Sequence, residues 1–320
     1  MNSAGDTAPA LLIGLSAVMV AISEGEPHVL VTRRPGGGGA LPFGPFDPAR
    51  HRTFDLSLRG WVREQTGFEI GYVEQLYTFG DKDRETPGAT VPGAPPDARV
   101  ISVGYLALTP EVRPVAANFE ARWRSWYQYF PWEDHRSGRP DLLDSEIGPR
   151  LLAWAGGSDR RRERARTAFG LGGARWFEER VLERYELLYE AGLVAEYARD
   201  SGQGEPALSL GAAMASDHRR ILATALSRLR SKIKYRPVVF ELMPERFTLS
   251  ALQRAVEGIL GLSLHTQNFR RALDKSGLVA GTGKIETGTG GRPAELFTFR
   301  RAHAGSISAP GLSTPRKSVD

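Results

Sequence analysis

The hydrophobic pattern changes character twice along the chain. Between residues 10 and 115, apolar positions come in short runs separated by glycine and proline, as expected of strands joined by turns. The runs LLIGLSAVMVAI (Leu11–Ile22) and HVLVTRR (His28–Arg34) flank the turn-like SEGEP and predict a hairpin. GGGGALPFGPFDP reads as a glycine and proline loop. In FDLSLRGWVREQTG, Phe54, Leu58, Trp61 and Val62 share one face, which predicts an amphipathic helix stopped by Gly67. FEIGYVEQLYTFGD is expected to be a strand pair, DRETPGATVPGAPPDA a flexible loop, and RVISVGYLALT a strand of β-branched and aromatic residues.

Residues 118–205 follow a helical period instead. In RWFEERVLERYELLYEAG the residues Phe177, Val181, Leu182, Tyr185, Leu188 and Tyr189 line one face, and Gly192 is a fitting cap. The DRRRERARTAF run reads as a solvated helix face. SDHRRILATALSRLRSKIKY predicts a connecting helix with Ser216 as candidate N-cap. Beyond it, Thr248 or Ser250 caps a helix whose Leu252, Val256, Ile259 and Leu260 recur on one side, and Gly261 ends it. LHTQNFRRALDKSG is a second short helix with Phe269 and Leu273 inward, and LVAGTGKIETGTGGRPAELFTFRR reads as two strands around a Gly/Thr tip. The first nine residues read as flexible, and the Ser/Pro/Gly-rich tail from Ala302 as disordered.

A length of 320 residues allows about two domains. The absence of cysteine excludes disulfides, cysteine nucleophiles and Cys-type zinc sites and fits a reducing cytosol, hence a cytoplasmic protein. Six scattered histidines argue against a His-type metal cluster. The longest apolar run is too short to span a bilayer and no basic residue precedes it, which argues against membrane insertion and secretion. The net charge of +5 is unevenly spread: residues 216–301 hold 16 basic and 7 acidic side chains, the remainder 26 and 30. A basic C-terminal third fits a polyanion-binding module or, more plainly, a solvated basic surface.

The order helix, turn, helix, hairpin is that of a winged helix-turn-helix. On the second helix, Thr266, Gln267, Asn268, Arg270, Arg271 and Lys275 are candidates for base edges and phosphates, and Lys284 and Arg292 lie near the tip of the wing. A winged helix used for protein contacts is the alternative reading.

The first helix raises a different chemistry. A Nudix hydrolase holds divalent metal on the pattern R-E-U-x-E-E-x-G-U, with U aliphatic, because hard cations beside a pyrophosphate need several anionic oxygens on one turn. Setting Gly67 and Phe68 on the final G-U places Gly60 in the Arg slot and Trp61 in the first Glu slot. Val62 takes the aliphatic slot, and Glu64 and Gln65 the paired Glu slots; the upstream glycine and glutamate slots fall on Phe46 and Arg52. One carboxylate of three survives, so the helix reads as one that has lost its metal cage, with no metal site expected. Arg52, Arg59 and Arg63 are then candidate cationic partners for phosphate. An unrelated amphipathic helix is the alternative.

Taken together the chain resembles the Nudix-related transcriptional regulators of NAD metabolism, the NrtR family. The pieces that carry the resemblance are GLSAVMVAI, VLVTRRP, ALPFGPFDP, QLYTFGDKDRE and RVISVGYLAL, then DHRRILATALSRLRSKIKYRPVVFELMPERFTLSALQ, NFRRALDKSGLV and GGRPAELFTFRR. They cover most of residues 10–115 and 206–301, and residues 119–205 stand out as an insertion or a subfamily helical element. The resemblance implies an α/β protein: a Nudix-like α/β/α sandwich over residues 10–235 with a helical insertion, followed by a winged-helix domain over 236–301. It implies a sensor of ADP-ribose or a related NAD derivative, no required cofactor, and a homodimer on a palindromic operator that represses NAD biosynthesis or salvage genes. It places candidate ligand contacts at Arg33, Arg34, Arg63, Glu64, Asp83 and Arg99, each of which could instead be a surface salt-bridge residue. Two other classes stay open: a metal-dependent ADP-ribose pyrophosphatase with an accessory winged helix, and a DNA-binding architectural protein with an inert Nudix core.

Overall fold

The apolar run at Leu11 forms the central strand of a seven-stranded sheet, β1 (Leu11–Ser23), buried at every position from Gly14 to Ala21. The structure, a computed structural model, describes residues 10–33, 39–82, 84, 87–90, 93–110, 112–203, 210–286 and 293–301. β1 turns at Glu24 and Gly25, both with positive φ (54° and 84°), into antiparallel β2 (Glu26–Arg33). Two left-handed residues in succession match the twist of a tight hairpin. β3 (Gly39–Ala40) pairs with β2, and β4 (Phe43–Pro45) with β1. Beyond β1 the sheet continues with parallel β6 (Arg99–Leu108), then antiparallel β5 (Tyr72–Phe79) at one edge. β7 (Ala121–Ser125) adds to β2.

The two-residue period of β1 feeds two cores. Leu15, Ala17 and Met19 face one side with Leu30, Val103 and Tyr105, where α1 (Phe54–Thr66) seats Leu58 and Val62. Val18 and Val20 face the other, against α7 (His218–Ile233) through Ile221, Leu222, Leu226 and Leu229. Sheet between helices gives the α/β/α sandwich. Between these two helices lie the short α2 (Pro87–Thr90), α3 (Gly148–Ala155), α4 (Asp159–Phe169), α5 (Val181–Glu190) and α6 (Ala195–Asp200). Phe130, Trp132, Phe169, Tyr185 and Leu188 join this segment to the α7 core.

The C-terminal part is β8 (Phe247–Thr248), α8 (Leu249–Leu260), α9 (Thr266–Ser276), β9 (Val279–Glu286) and β10 (Ala294–Phe299), with the small sheet ordered β8-β10-β9. Thr248 caps α8, its hydroxyl accepting from Ala251 N at 3.1 Å, and Gly261 closes it at φ 68°. Among the described residues no helix is long and apolar enough to cross a membrane.

Several expectations need correction. The stretch from Phe68 to Asp81 holds one strand, β5, not two; a bulge between Gln75 and Thr78 breaks its register. The segment after residue 118 opens with a strand, β7, because ARWRS finds the open edge of β2. The helix expected from Arg175 starts only at Val181. Ser216 does not cap α7: it sits at φ 47°, Asp217 holds the cap position, and no side chain makes the cap hydrogen bond. The residues read as flexible or disordered, 1–9 and 302–320, lie outside the described part.

The α/β/α sandwich and the C-terminal unit meet where α8 crosses the β1–β2 turn. A Cβ built on Gly258 would run into the Gly25 carbonyl oxygen and lie 3.1 Å from Pro27 Cδ. Backbone cannot yield as a flexible side chain does, so Gly258→Ala is expected to lower stability by about 1–3 kcal/mol, read as a shifted urea midpoint.

Candidate ligand site and nucleic-acid interface

α1 begins at Thr53, whose hydroxyl accepts from Leu56 N at 3.2 Å, and ends at left-handed Gly67. With Leu58 and Val62 inward, the slots of the metal pattern can be followed one by one. The Trp61 ring packs on Gly44, where a Cβ would collide with it, and its Nε1 donates to Pro45 O at 3.0 Å. The Gln65 amide clasps Phe43 from both sides: Nε2 donates to Phe43 O at 2.5 Å, and Oε1 accepts from Phe43 N at 3.1 Å. Two of the three acid slots thus hold the backbone of β4. Phe46 packs edge-on against Phe54, ring centroids 4.6 Å apart. Of the three acid slots, that of Glu64 alone presents a carboxylate, on the exposed face. One carboxylate cannot satisfy the several hard oxygen ligands a divalent ion needs beside a pyrophosphate. The donor set on α1 does not fit such a cage.

The remaining sequence-derived ligand candidates are spread over the domain. Arg33 ends β2, exposed, its backbone N–H donating to Glu120 O at 2.8 Å. Arg99 opens β6 and its guanidinium donates to the Gly80 carbonyl. Arg63 is 66% exposed and lies 3.8 Å from Glu69. Arg59 is committed to Asp55 at 2.8 Å and to the Ile70 carbonyl, which closes the helix onto the following loop. Arg52 is exposed. Neither of the two described cavities is lined by Arg33, Arg63, Glu64 or Arg99. Arg34 and Asp83 lie outside the described residues.

The second helix of the C-terminal unit presents a polar face to solvent. Phe269 and Leu273 are fully buried, so the 3.6-residue period turns Thr266, Gln267, Arg270, Arg271 and Lys275 outward; all five are exposed to solvent to some degree, and Asn268 is half-buried. Gln253 of α8 donates to Thr266 Oγ1 at 3.3 Å and to Leu264 O at 3.3 Å, setting the angle at which α9 leaves the turn. Lys284 lies on β9, and Arg292 lies outside the described residues. Exposed amide and guanidinium groups on one helix face are the donors that pair with base edges in a major groove.

Comparisons with known proteins agree with this geometry. Residues 239–299 match the family model described as the NrtR DNA-binding winged helix domain. The chain also superposes on the crystal structure of Shewanella oneidensis NrtR complexed with a 27mer DNA, with TM-score 0.56 and 19% identity, over 95% of this chain and 99% of that one. Residues 239–299 thus carry a winged helix of the NrtR DNA-binding type. A curated relative, the ADPR responsive transcriptional repressor NtrR of Acinetobacter baylyi, is 41% identical over 95 residues. That match spans 30% of this chain and 37% of the Acinetobacter protein's length. A MutT/nudix family protein from Enterococcus faecalis has the same fold, with TM-score 0.54 and 18% identity over 92% of this chain and 89% of that one.

The structure also shows long-range contacts that residue spacing did not reveal. Glu133, Arg184 and Arg230 are fully buried and form one triad, with Glu133 taking Arg184 Nε at 2.5 Å and Arg230 Nη1 at 2.5 Å. Arg230 also donates from Nε to Ile259 O at 2.8 Å, at the end of α8. Tyr127 donates to Gly258 O at 2.6 Å, and His135 N–H to Gly261 O at 2.8 Å. Segment 126–139 therefore clamps the helix-turn-helix turn to α7. Arg219 is buried against Glu196 at 3.1 Å, and Arg220, Lys232 and Lys234 also pair with acids. Much of the basic excess after residue 216 is thus internal, and cations left facing solvent include those on α9 and the wing. From the sequence Arg219 and Arg230 counted only toward the basic C-terminal third, and nothing set Arg184 apart.

Proposed function

We propose that this protein is a transcriptional repressor of NAD biosynthesis or salvage genes. It binds a palindromic operator as a homodimer and responds to ADP-ribose or a related NAD derivative held in the Nudix-like domain. The observation that carries this reading is the pairing of an outward amide- and arginine-bearing α9 with a Nudix-like helix whose acid slots hold Trp61 and Gln65. The first supplies base and phosphate contacts. The second favours holding a nucleotide over cutting it, so we read the protein as a regulator and not an enzyme, with no cofactor required and the cytoplasm as its place of action. The Acinetobacter relative is described as ADPR responsive, and a crystal structure exists of the Shewanella NUDIX domain with ADP ribose. The effector would rest against Arg33, Arg34, Arg63, Glu64, Asp83 and Arg99, and α7 would carry its effect to the winged helix. An effector changes operator affinity only by its differential affinity for the two states of the protein.

The test is a gel shift on the protein's own upstream region and on NAD-gene promoters, titrated with ADP-ribose, NAD and nicotinamide mononucleotide. The expected result is a retarded band that ADP-ribose weakens and an unrelated nucleotide does not. In parallel, incubation with ADP-ribose and Mg²⁺ is expected to leave the nucleotide intact. Rapid release of AMP would assign the protein to the pyrophosphatases instead. An operator complex indifferent to every nucleotide would leave an architectural DNA-binding protein.

A further inference from the structure

The largest described cavity lies away from α1. It occupies about 920 Å³ between the helical segment and the winged helix, and none of its walls comes from residues 10–115. That volume falls in the range of small-molecule sites, roughly 300–1,000 Å³. Three guanidinium groups and one carboxylate line it. The carboxylate, Asp144, is already held bidentately by Arg139 at 2.9 and 3.0 Å. Arg136 is committed to Asp134 and Glu26, each at 2.7 Å. Arg175 is the cation left over: it has no carboxylate partner among the described residues, and rests over the Phe177 ring at 5.1 Å. The site is therefore positive after its internal pairs are made.

Its backbone is equally specific. Gly170, Gly172 and Gly173 have φ of 60°, 58° and 76°, and both Gly172 and Gly173 have open space where a Cβ would be. Left-handed residues in a short turn direct successive N–H groups into a concave nest that suits an anion, and the missing side chains let it approach. Behind them His135 stacks on Trp176, ring centroids 4.1 Å apart, and its Nε2 has no hydrogen-bond partner among the described residues. Burial lowers the His135 pKa to about 4, so near neutral pH the ring adds no charge. Arg184 also lies over the Trp176 ring, 3.8 Å from its centroid, so the indole already has a cation and an imidazole packed against it. Leu262 and Ser263, in the turn between α8 and α9, close the cavity.

We propose that this cavity is a second effector site, separate from the Nudix-like domain, that takes a phosphorylated small molecule. Its phosphate is gripped by Arg175 and by the backbone of the Gly170–Gly173 turn, and the bound molecule bears on the α8–α9 turn. Compact, highly charged phosphates suit a guanidinium and a turn of backbone N–H groups better than planar bases do, since the cavity's indole is already packed against Arg184 and His135. The site stands independently of the ADP-ribose reading; only its effect on DNA rests on the winged-helix assignment.

Calorimetric titration of the full chain with inorganic pyrophosphate tests it, with citrate at matched ionic strength as the carboxylate control. Pyrophosphate is expected to bind, Arg175→Glu to weaken it at least tenfold, and saturating ADP-ribose to leave the wild-type titration unchanged. Because Arg175 makes no ion pair among the described residues, the variant is expected to unfold at the wild-type temperature. Equal binding by Arg175→Glu and wild type would overturn the proposal, as would displacement of pyrophosphate by ADP-ribose or citrate binding as tightly. Pyrophosphate binding that depends on Arg175 in a protein that ignores ADP-ribose would sink the Nudix-site reading and leave this one standing.

Discussion

Glu133→Gln is expected to destabilise the protein by about 3–5 kcal/mol, the range for breaking a fully buried ion pair by removing one partner. One carboxylate here serves two guanidinium groups, so the amide leaves two buried cations without their anion. Their remaining donors are spent on carbonyls: Arg184 on Ala168 O at 3.1 Å and Phe177 O at 3.0 Å, Arg230 on Ile259 O at 2.8 Å and Glu178 O at 3.0 Å. Those bonds lend partial negative charge but cannot replace a full one. Thermal unfolding should show a drop of roughly 5–10 °C for a chain of this size. The loss should also reach the winged helix, since Arg230 ends on the last turn of α8. An unchanged melting temperature would mean the triad is dispensable.

Acid should reveal the same group. Burial alone would raise the Glu133 pKa, but Arg184 and Arg230 outweigh it and hold the carboxyl below its usual 4.5. A depressed carboxyl contributes stability that is complete above the unfolded value and is lost as pH falls through the folded one. The stability gap between wild type and Glu133→Gln is therefore expected to be widest above pH 4.5 and to narrow below it, in urea titrations run across that window. A gap that stays constant through the acid range would contradict the assignment.

The triad also marks the limit of what residue order reveals. The β1–β2 hairpin was legible because two apolar runs flank the turn at Glu24 and Gly25, and α8 and α9 because Thr248, Gly261 and Gly277 bracket clean helical periods. The polar face of α9 follows from Phe269 and Leu273 alone, since burying them turns the polar set outward. What stayed hidden depends on partners distant in sequence. Glu133 meets Arg230 across 97 positions, and Arg184 across 51, near arginines that pair locally on the surface, as Arg162 does with Asp159 and Arg166 with Glu163. Local pattern cannot tell these cases apart. β7 was missed for a similar reason: ARWRS has no strand-like composition, and it pairs because the edge of β2 is open. On α1, counting acids revealed the missing carboxylates, but only the packing shows that Trp61 and Gln65 now fasten β4. For the ligand candidates local pattern decides nothing, because strand ends and exposed arginines suit a phosphate or a surface ion pair equally.

Reversing two charges on α9 should have the largest effect on the proposed activity. Arg270 and Arg271 are exposed and have no carboxylate partner among the described residues, so Arg270→Glu with Arg271→Glu breaks no internal ion pair. The melting temperature is expected to stay within about 1–2 °C of wild type, as for surface substitutions away from structural features. Operator affinity is expected to fall at least a hundredfold. A bidentate base contact is worth about 1–3 kcal/mol, and removing an arginine from a phosphate also removes its share of counterion release. Salt dependence separates the two roles. If both arginines touch phosphate, the slope of log K against log salt should flatten by about two units, and binding to unrelated DNA should weaken in parallel. If one reads a guanine edge, the slope should change less, while discrimination at a single operator position collapses. Gel shifts at three salt concentrations, on operator and scrambled DNA, distinguish these outcomes. Unchanged affinity in a folded double variant would remove α9 from the DNA interface and leave the winged helix to bind protein.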